Sequence, residues 1–138
     1  MNATGAGLPP SPLASRLGVL GAALGFLGVA AGAFGAHALK GSLAPAMMDV
    51  FETAARYQIV HAVALVVVAL ALERRGTRPL AVAGVLFTIG IVLFSGSLFA
   101  LALFSAPGWG LVTPFGGMCL LTGWLCLGLG FAAKAPRA

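Results

Sequence analysis

The sequence predicts an all-α fold, an integral membrane four-helix bundle with both termini on the same side of the bilayer. The 138 residues are 60% hydrophobic and only 8% charged, and the mean hydropathy is +1.06. This composition excludes a disordered chain and disfavours a soluble domain of this size. Charges and prolines divide the chain into four apolar spans, three of which reach the roughly 20 residues that cross a bilayer. All eight prolines fall at or outside the span ends, as regular helices require.

The first span covers residues 17–39. The segment before it, residues 1–15, contains three prolines and no charged side chain, so we expect a disordered tail there. Residues 16–134 are predicted to form one transmembrane domain, followed by a C-terminal tail at 135–138. Within the span, Ala36-His37-Ala38 resembles a signal-peptide cleavage site, but the apolar run of about 20 residues exceeds the core of a typical signal peptide. We therefore expect the span to be retained.

Glycines recur at alternating spacings of three and four along the first span, which places them on one stripe of one helix. In a soluble helix each would cost about 1 kcal/mol relative to alanine. In a membrane such a stripe lets a second helix approach closely. The stripe is therefore the predicted packing surface of the first helix. Its members are Gly18, Gly21, Gly25, Gly28, Gly32 and Gly35.

The second span is purely apolar only over residues 59–72, so it must also use residues 51–58 to cross the bilayer. Residues 46–58 are predicted to form an amphipathic helical lead-in that continues into this span. At 100° per residue, one face of the lead-in carries Asp49, Glu52 and Arg56. A second face carries Thr53, Tyr57 and His61, with Gln58 beside it.

The third and fourth spans cover residues 80–104 and 111–133. Four crossings return the chain to its starting side, so the loop charges can be compared between the two sides. Only Lys40 and Arg56 lie on the opposite side from the termini. The positive-inside rule therefore predicts a multi-pass protein of the cell inner (plasma) membrane with both termini in the cytoplasm. The basic residues on the terminal side are Arg16, Arg74, Arg75, Arg78, Lys134 and Arg137.

Polar side chains near the spans concentrate toward the side opposite the termini. By counting residues from the span ends, His37 and His61 are expected at similar depth. We favour the interpretation that the polar groups satisfy one another and the ends of neighbouring helices. The alternative is a functional cluster in which the two histidines are ligands or proton carriers. The candidate polar cluster comprises His37, Thr53, Tyr57, Gln58, His61, Ser95, Ser97 and Thr113.

The sequence contains no recognisable catalytic or metal-binding arrangement. The apolar spans hold no carboxylate, and no glycine loop follows a strand as a phosphate-binding loop would. Zinc usually takes four ligands, and two histidines with two separated cysteines do not form such a set. Cys119 and Cys126 are also too far apart along one helix to form a disulfide, so we interpret them as small apolar residues. We therefore predict no catalytic residue, no metal and no cofactor. A haem held by both histidines is a weaker alternative.

Four sequence blocks, in the same order, resemble the YgdD-like small membrane proteins catalogued as domain of unknown function number 423. They are GAFGAH at 32–37, FxTAxxYQxxH at 51–61, LFSGSL at 93–98 and TPxGG at 113–117. The family also has a eukaryotic relative among small transmembrane proteins. The resemblance covers about residues 17–130 and implies a four-helix inner-membrane protein without an established activity. The residues that match the family motifs are His37, Tyr57, Gln58, His61, Ser95, Ser97, Thr113 and Pro114.

The leading functional hypothesis is a non-enzymatic membrane protein that acts as an accessory, scaffold or assembly component. Its expected partners are the lipid bilayer and either a second copy of the chain or other membrane proteins. Nucleic acid is not expected, because the net charge of +5 is not accompanied by a basic run interleaved with aromatic residues. The alternative is a small carrier or ligand-binding bundle with a polar pocket in the outer leaflet. A haem-binding or quinone-binding protein is a third hypothesis.

Overall fold

A computed structural model describes residues 11–133 of the chain. Within that range all regular structure is helical, and four helices are long and apolar enough to cross a membrane. This confirms the predicted fold class. The elements are α1 (Pro12–Phe34), a π-helical turn (Gly35–Leu39), α2 (Pro45–Arg75), α3 (Arg78–Phe104), a 3-10 turn (Pro107–Leu111) and α4 (Thr113–Ala132).

The helix ends follow local sequence signals. At the start of α1, the Ser11 hydroxyl accepts a hydrogen bond from the Ala14 N–H at 3.4 Å, and Pro12 occupies the first turn. Residues 12–15, expected in the tail, are therefore helical, whereas 1–10 and 134–138 lie outside the described residues. The lead-in at 46–58 does continue into the second span as one helix, which ends at Gly76 with φ of 59°.

The helices pack in chain order, α1 on α2, α2 on α3 and α3 on α4, while α2 and α4 make only slight contact. Helix α2 is the most enclosed. In its most apolar stretch of 18 residues, 56% of the residues are buried, compared with 17% in the corresponding stretch of α1. Fully buried Leu65, Val68, Leu80 and Phe87 form the centre of the core. The central pair α2–α3 therefore organises the bundle, and α1 and α4 flank it.

Five of the six stripe glycines lie against α2. A Cβ added to Gly28 would stand 2.7 Å from Ile59, and one added to Gly35 would stand 2.8 Å from Phe51. Gly32 differs, because nothing lies within 4 Å of the corresponding position. The absence of side chains on one face of α1 thus brings its backbone close to the side chains of α2.

Helix α4 approaches α3 even more closely. A Cβ at Gly116 would overlap the backbone of Phe94, so the two main chains are in direct contact there. Further along the same seam, Gly123 faces the ring of Phe87 and Gly130 faces Leu80. At Gly116 the contact is with main-chain atoms that cannot rotate away, so a side chain at this position would push the two helices apart.

Candidate functional site

His61 lies at the centre of a small polar and aromatic cluster between α2 and α4. Its side chain is 5% exposed. The indole N–H of Trp124 donates to His61 Nε2 at 3.1 Å, and His61 Nδ1 lies 2.7 Å from the Tyr57 carbonyl oxygen. An indole nitrogen can only donate, so Nε2 accepts and Nδ1 carries the proton that is donated to Tyr57. Both ring nitrogens of the neutral imidazole are therefore engaged.

Aromatic rings surround this imidazole. The ring centroids of Tyr57, Phe87 and Trp124 lie 5.8, 5.7 and 6.0 Å from that of His61. Phe94 extends the cluster, with its ring centroid 4.6 Å from that of Tyr57. Because α2 and α4 meet through these large side chains, their backbones stay apart.

A groove of about 440 Å³ opens beside the cluster. We call it the aromatic groove. Its walls are apolar except at one end, where exposed Arg56 stands beside the half-exposed ring of Tyr57. The lining residues are Arg56, Tyr57, Val60, His61, Phe94, Gly117, Leu120, Leu121 and Trp124.

The aromatic groove is the first part of a longer furrow between α2 and α4. A second hollow shares Val60 and Trp124 with it and extends to Val67. Val67 also lines a third hollow, of about 340 Å³, that ends at Arg74 and Arg75. The slight contact between α2 and α4 thus leaves a lateral opening along most of the bundle.

Only two members of the predicted polar cluster, Tyr57 and His61, line the aromatic groove. Gln58 faces the other way, and its side-chain amide donates to the Leu24 carbonyl of α1 at 2.9 Å. The Thr53 hydroxyl donates to the carbonyl of Asp49, one turn earlier in α2, at 2.8 Å. Both groups satisfy backbone carbonyls, which is a structural role.

Two other members of the predicted polar cluster, Ser97 and Thr113, form a separate contact between α3 and α4. The hydroxyls of Ser97 and Thr113 are 2.8 Å apart and join the two helices. A Thr-Pro pair often places the threonine at the N-cap and the proline in the first turn, but Thr113 is the first residue of α4 and its side chain does not cap the helix. Ser95 is 1% exposed, and its hydroxyl has no hydrogen-bond partner among the described residues.

The expectation that His37 and His61 share one depth is wrong. Gly35 packs against Phe51, which precedes His61 by about 15 Å along the axis of α2. His37 follows Gly35 in the π-helical turn and is exposed, so it lies far from the imidazole of His61. The depth estimate fails because α2 continues as a regular helix well beyond the apolar span, and α1 ends against that extension.

Sequence reasoning missed Trp124, which completes the hydrogen bonding of His61. One signal was available: an indole N–H in the middle of an apolar span needs a partner, whereas tryptophan is otherwise typical of the membrane interface. Arg56, which the sequence places on one face of the lead-in with Asp49 and Glu52, is exposed and lines the end of the groove. Within residues 11–133, no three metal-ligating side chains come together, and Cys119 and Cys126 are unpaired and half-buried.

The fold and the furrow define an integral membrane protein with four membrane-crossing helices and a lateral groove. A family profile described as "Protein of unknown function (DUF423)" matches residues 31–117. The chain belongs to this family, which confirms the resemblance of its four motifs.

Several similar proteins are named UPF0382 membrane proteins. A UPF0382 membrane protein of Staphylococcus haemolyticus is 41% identical over 111 residues, covering 79% of this chain and 88% of the relative. The UPF0382 membrane protein YwdK of Bacillus subtilis is 40% identical over 110 residues, covering 79% and 89%. The UPF0382 inner membrane protein YgdD of Escherichia coli is 40% identical over 98 residues, covering 71% and 75%. No solved structure matches the chain.

Proposed function

We propose that this protein binds a membrane-soluble amphiphile in the aromatic groove, taken up laterally from the bilayer. The observation that carries the proposal is the groove itself, an apolar space of about 440 Å³ with a guanidinium at one end. This volume falls in the range of about 300–1,000 Å³ typical of small-molecule sites. Of the two main hypotheses from the sequence, the groove favours the ligand-binding bundle.

The side chains define the chemistry of the ligand. Arg56 and the Tyr57 hydroxyl are the hydrogen-bond donors available at the groove end, so the head of the ligand should accept hydrogen bonds. The rings of Phe94 and Trp124 suit a planar or aliphatic body. A quinone with an apolar tail belongs to this class. A haem ligated by both histidines does not fit, because His37 is remote and both nitrogens of His61 are engaged.

The proposed role is binding rather than catalysis. The guanidinium of Arg56 does not exchange a proton, because arginine stays charged in proteins. Both ring nitrogens of His61 are already hydrogen-bonded within the protein. Tyr57 alone does not supply an acid–base pair. His61 instead shapes the groove by holding the Trp124 indole across it.

We infer that the protein lies in the cell inner membrane with both termini in the cytoplasm. The charge bias supports this orientation: three arginines lie at 74–78, in the connection between α2 and α3, against Lys40 and Arg56 on the opposite side. The groove end at Arg56 would then face the outer leaflet. A C-terminal green fluorescent protein fusion should fluoresce and an alkaline phosphatase fusion should be inactive; the opposite pattern would reverse the assignment.

Two glycines of α4, one lining the groove and one outside it, allow a sharp test of the groove. A Cβ at Gly117 would meet the Phe94 ring at 3.7 Å, an ordinary contact, so Gly117→Leu should fill the groove without separating the helices. Gly128→Leu is the control, because nothing lies within 4 Å of that position. Purified proteins would be extracted with organic solvent and analysed by mass spectrometry. We expect one amphiphile enriched over bulk lipid in the wild type and control and lost in Gly117→Leu. Equal extracts from all three proteins would refute the proposal.

The accessory or assembly role is the second candidate, and the exposure of α1 favours it. Only 17% of the most apolar stretch of α1 is buried, and Gly32 faces open space. A second copy or another membrane protein would pack there. Single cysteines at positions 26 and 33 of α1, in a chain with Cys119→Ala and Cys126→Ala, should cross-link to a partner in native membranes. Cross-linking no stronger than from a cysteine at position 92 of α3, another exposed site, would exclude this role.

A further inference from the structure

The second feature of the furrow is its basic end. Three arginines, Arg74, Arg75 and Arg78, fall within five residues at the junction of α2 and α3, with Glu73 as the acidic residue beside them. Arg74 and Arg75 line the hollow of about 340 Å³ at this end, which we call the basic groove. Its other lining residues are apolar: Val67, Leu70, Ala71 and Phe131.

Arg75 is held in place by α4. Its Nη1 donates to the Phe131 carbonyl oxygen at 3.0 Å, and its guanidinium carbon lies 5.6 Å from the centre of the Phe131 ring. A guanidinium has five N–H donors, so most remain available to a ligand. An arginine already ordered by the protein loses less entropy when it binds an anion. This contact also caps the end of α4, but capping does not explain why exposed Arg74 lines the same groove.

The depth of these arginines matches a phospholipid headgroup. Arg56 and Arg74 are about 27 Å apart along α2, close to the roughly 30 Å thickness of a bilayer hydrocarbon core. This spacing would place Arg74 at the interface and the apolar residues one and two turns earlier, Leu70 and Val67, within the hydrocarbon. Guanidinium groups at phosphate depth above an apolar wall complement an amphiphilic anion better than free phosphate.

We propose that the basic groove is a binding site for an anionic phospholipid. Arg74 and Arg75 bind the headgroup phosphate, and an acyl chain lies along Val67, Leu70 and Ala71. The site is separate from the aromatic groove and does not rest on the function proposed for it. The difference between the two ends lies in their donors: two guanidiniums here, and one beside a phenol there.

Native mass spectrometry of the full chain in a neutral detergent tests the site. The probes are phosphatidylglycerol and phosphatidylcholine with identical acyl chains. We expect the wild type to retain phosphatidylglycerol preferentially. Since each interfacial arginine contributes about fivefold in affinity, Arg74→Gln should lose about fivefold and Arg74→Gln/Arg75→Gln about thirtyfold. Millimolar inorganic phosphate should not displace the lipid.

Two controls make the outcome decisive. Arg16→Gln removes the same charge from α1, away from the lining of the basic groove, and should leave phosphatidylglycerol retention unchanged. Arg74 makes no hydrogen bond that holds the helices together in the described structure, so Arg74→Gln remains informative if loss of the Arg75–Phe131 contact destabilises the double variant. Equal retention of the two lipids, an equal loss in Arg16→Gln, unchanged retention in Arg74→Gln, or displacement by phosphate would each overturn the proposal.

Discussion

Helix α4 is held against α3 and against α2 in opposite ways. Against α3 it presents glycines, and Gly116 brings its backbone onto the backbone of Phe94. Against α2 it presents an aromatic ring, and Trp124 reaches His61 through one hydrogen bond of 3.1 Å. The glycine contact leaves no space, whereas the aromatic contact leaves a furrow. Side-chain size at the crossing therefore decides whether a helix pair supplies stability or a binding surface.

The largest expected effect is on the closed contact between α3 and α4. Gly116→Ala should destabilise the protein by about 1–3 kcal/mol, because the new Cβ would overlap main-chain atoms that cannot rotate away. Thermal unfolding in detergent measures this loss. Gly117→Ala is the matched control, since its Cβ would make an ordinary contact at 3.7 Å with the Phe94 ring. Equal effects in the two variants would contradict the asymmetry.

The contact between α1 and α2 should respond less strongly. A Cβ at Gly21 would lie 2.9 Å from the Val66 side chain and 3.0 Å from the Ala62 carbonyl oxygen, so part of the strain can be relieved by rotating Val66. We expect Gly21→Ala to cost about 1 kcal/mol in the same assay. Gly25→Ala should cost nothing measurable, because its Cβ would be 3.7 Å from that of Ala62. A larger loss at Gly25 than at Gly21 would mean that α1 packs in another register.

The open contact between α2 and α4 should contribute little stability. A double-mutant cycle with His61→Ala and Trp124→Phe measures the coupling between the two side chains, which combines their hydrogen bond with the edge contact of their rings. We expect a coupling energy of about 0.6 kcal/mol, typical of interhelical hydrogen bonds within membranes. A coupling energy near zero would show that the hydrogen bond to His61 does not hold the Trp124 indole in place beside the groove.

The smallest effect is expected at Ser95. This residue shares a face of α3 with Phe99, whose ring packs on Phe51 of α2 at 4.9 Å. Because the Ser95 hydroxyl is buried without a partner, Ser95→Ala should change the stability by less than about 0.5 kcal/mol or raise it slightly. Ser97→Ala should destabilise by about 1 kcal/mol, since it breaks the hydrogen bond to Thr113. The reverse order in thermal unfolding would indicate a ligand or water on Ser95.

Much of the fold was predictable because its signals are local. The prolines and charges mark the helix ends, and the spacing of glycines marks the face of α1 that lies on α2. The lead-in at 46–58 was predicted as a continuous part of α2 from its periodicity alone. The depth of side chains in the membrane was less predictable. His37 was placed level with His61 because residues were counted from the ends of the apolar spans, and α2 extends well beyond its apolar span.

The candidate site was predicted only in part. Tyr57 and His61 were identified because they share a face of one helix, and this relation follows from spacing. Their partner Trp124 lies on another helix, and no local pattern relates the two. Gln58 was placed beside their face, but its side chain points toward α1, because adjacent residues of a helix differ in direction by about 100°.

The sequence by itself determined the class of protein, the four membrane-crossing helices and the glycines on which α1 lies. These follow from hydropathy, from helical periodicity and from the chemistry of proline and glycine, all of which act within one segment. Only the tertiary structure decided that α4 packs closely against α3 and leaves a furrow between itself and α2, with arginines at both ends. That arrangement depends on the balance between backbone contact at Gly116 and aromatic bulk at Trp124, which exists only once the helices have packed.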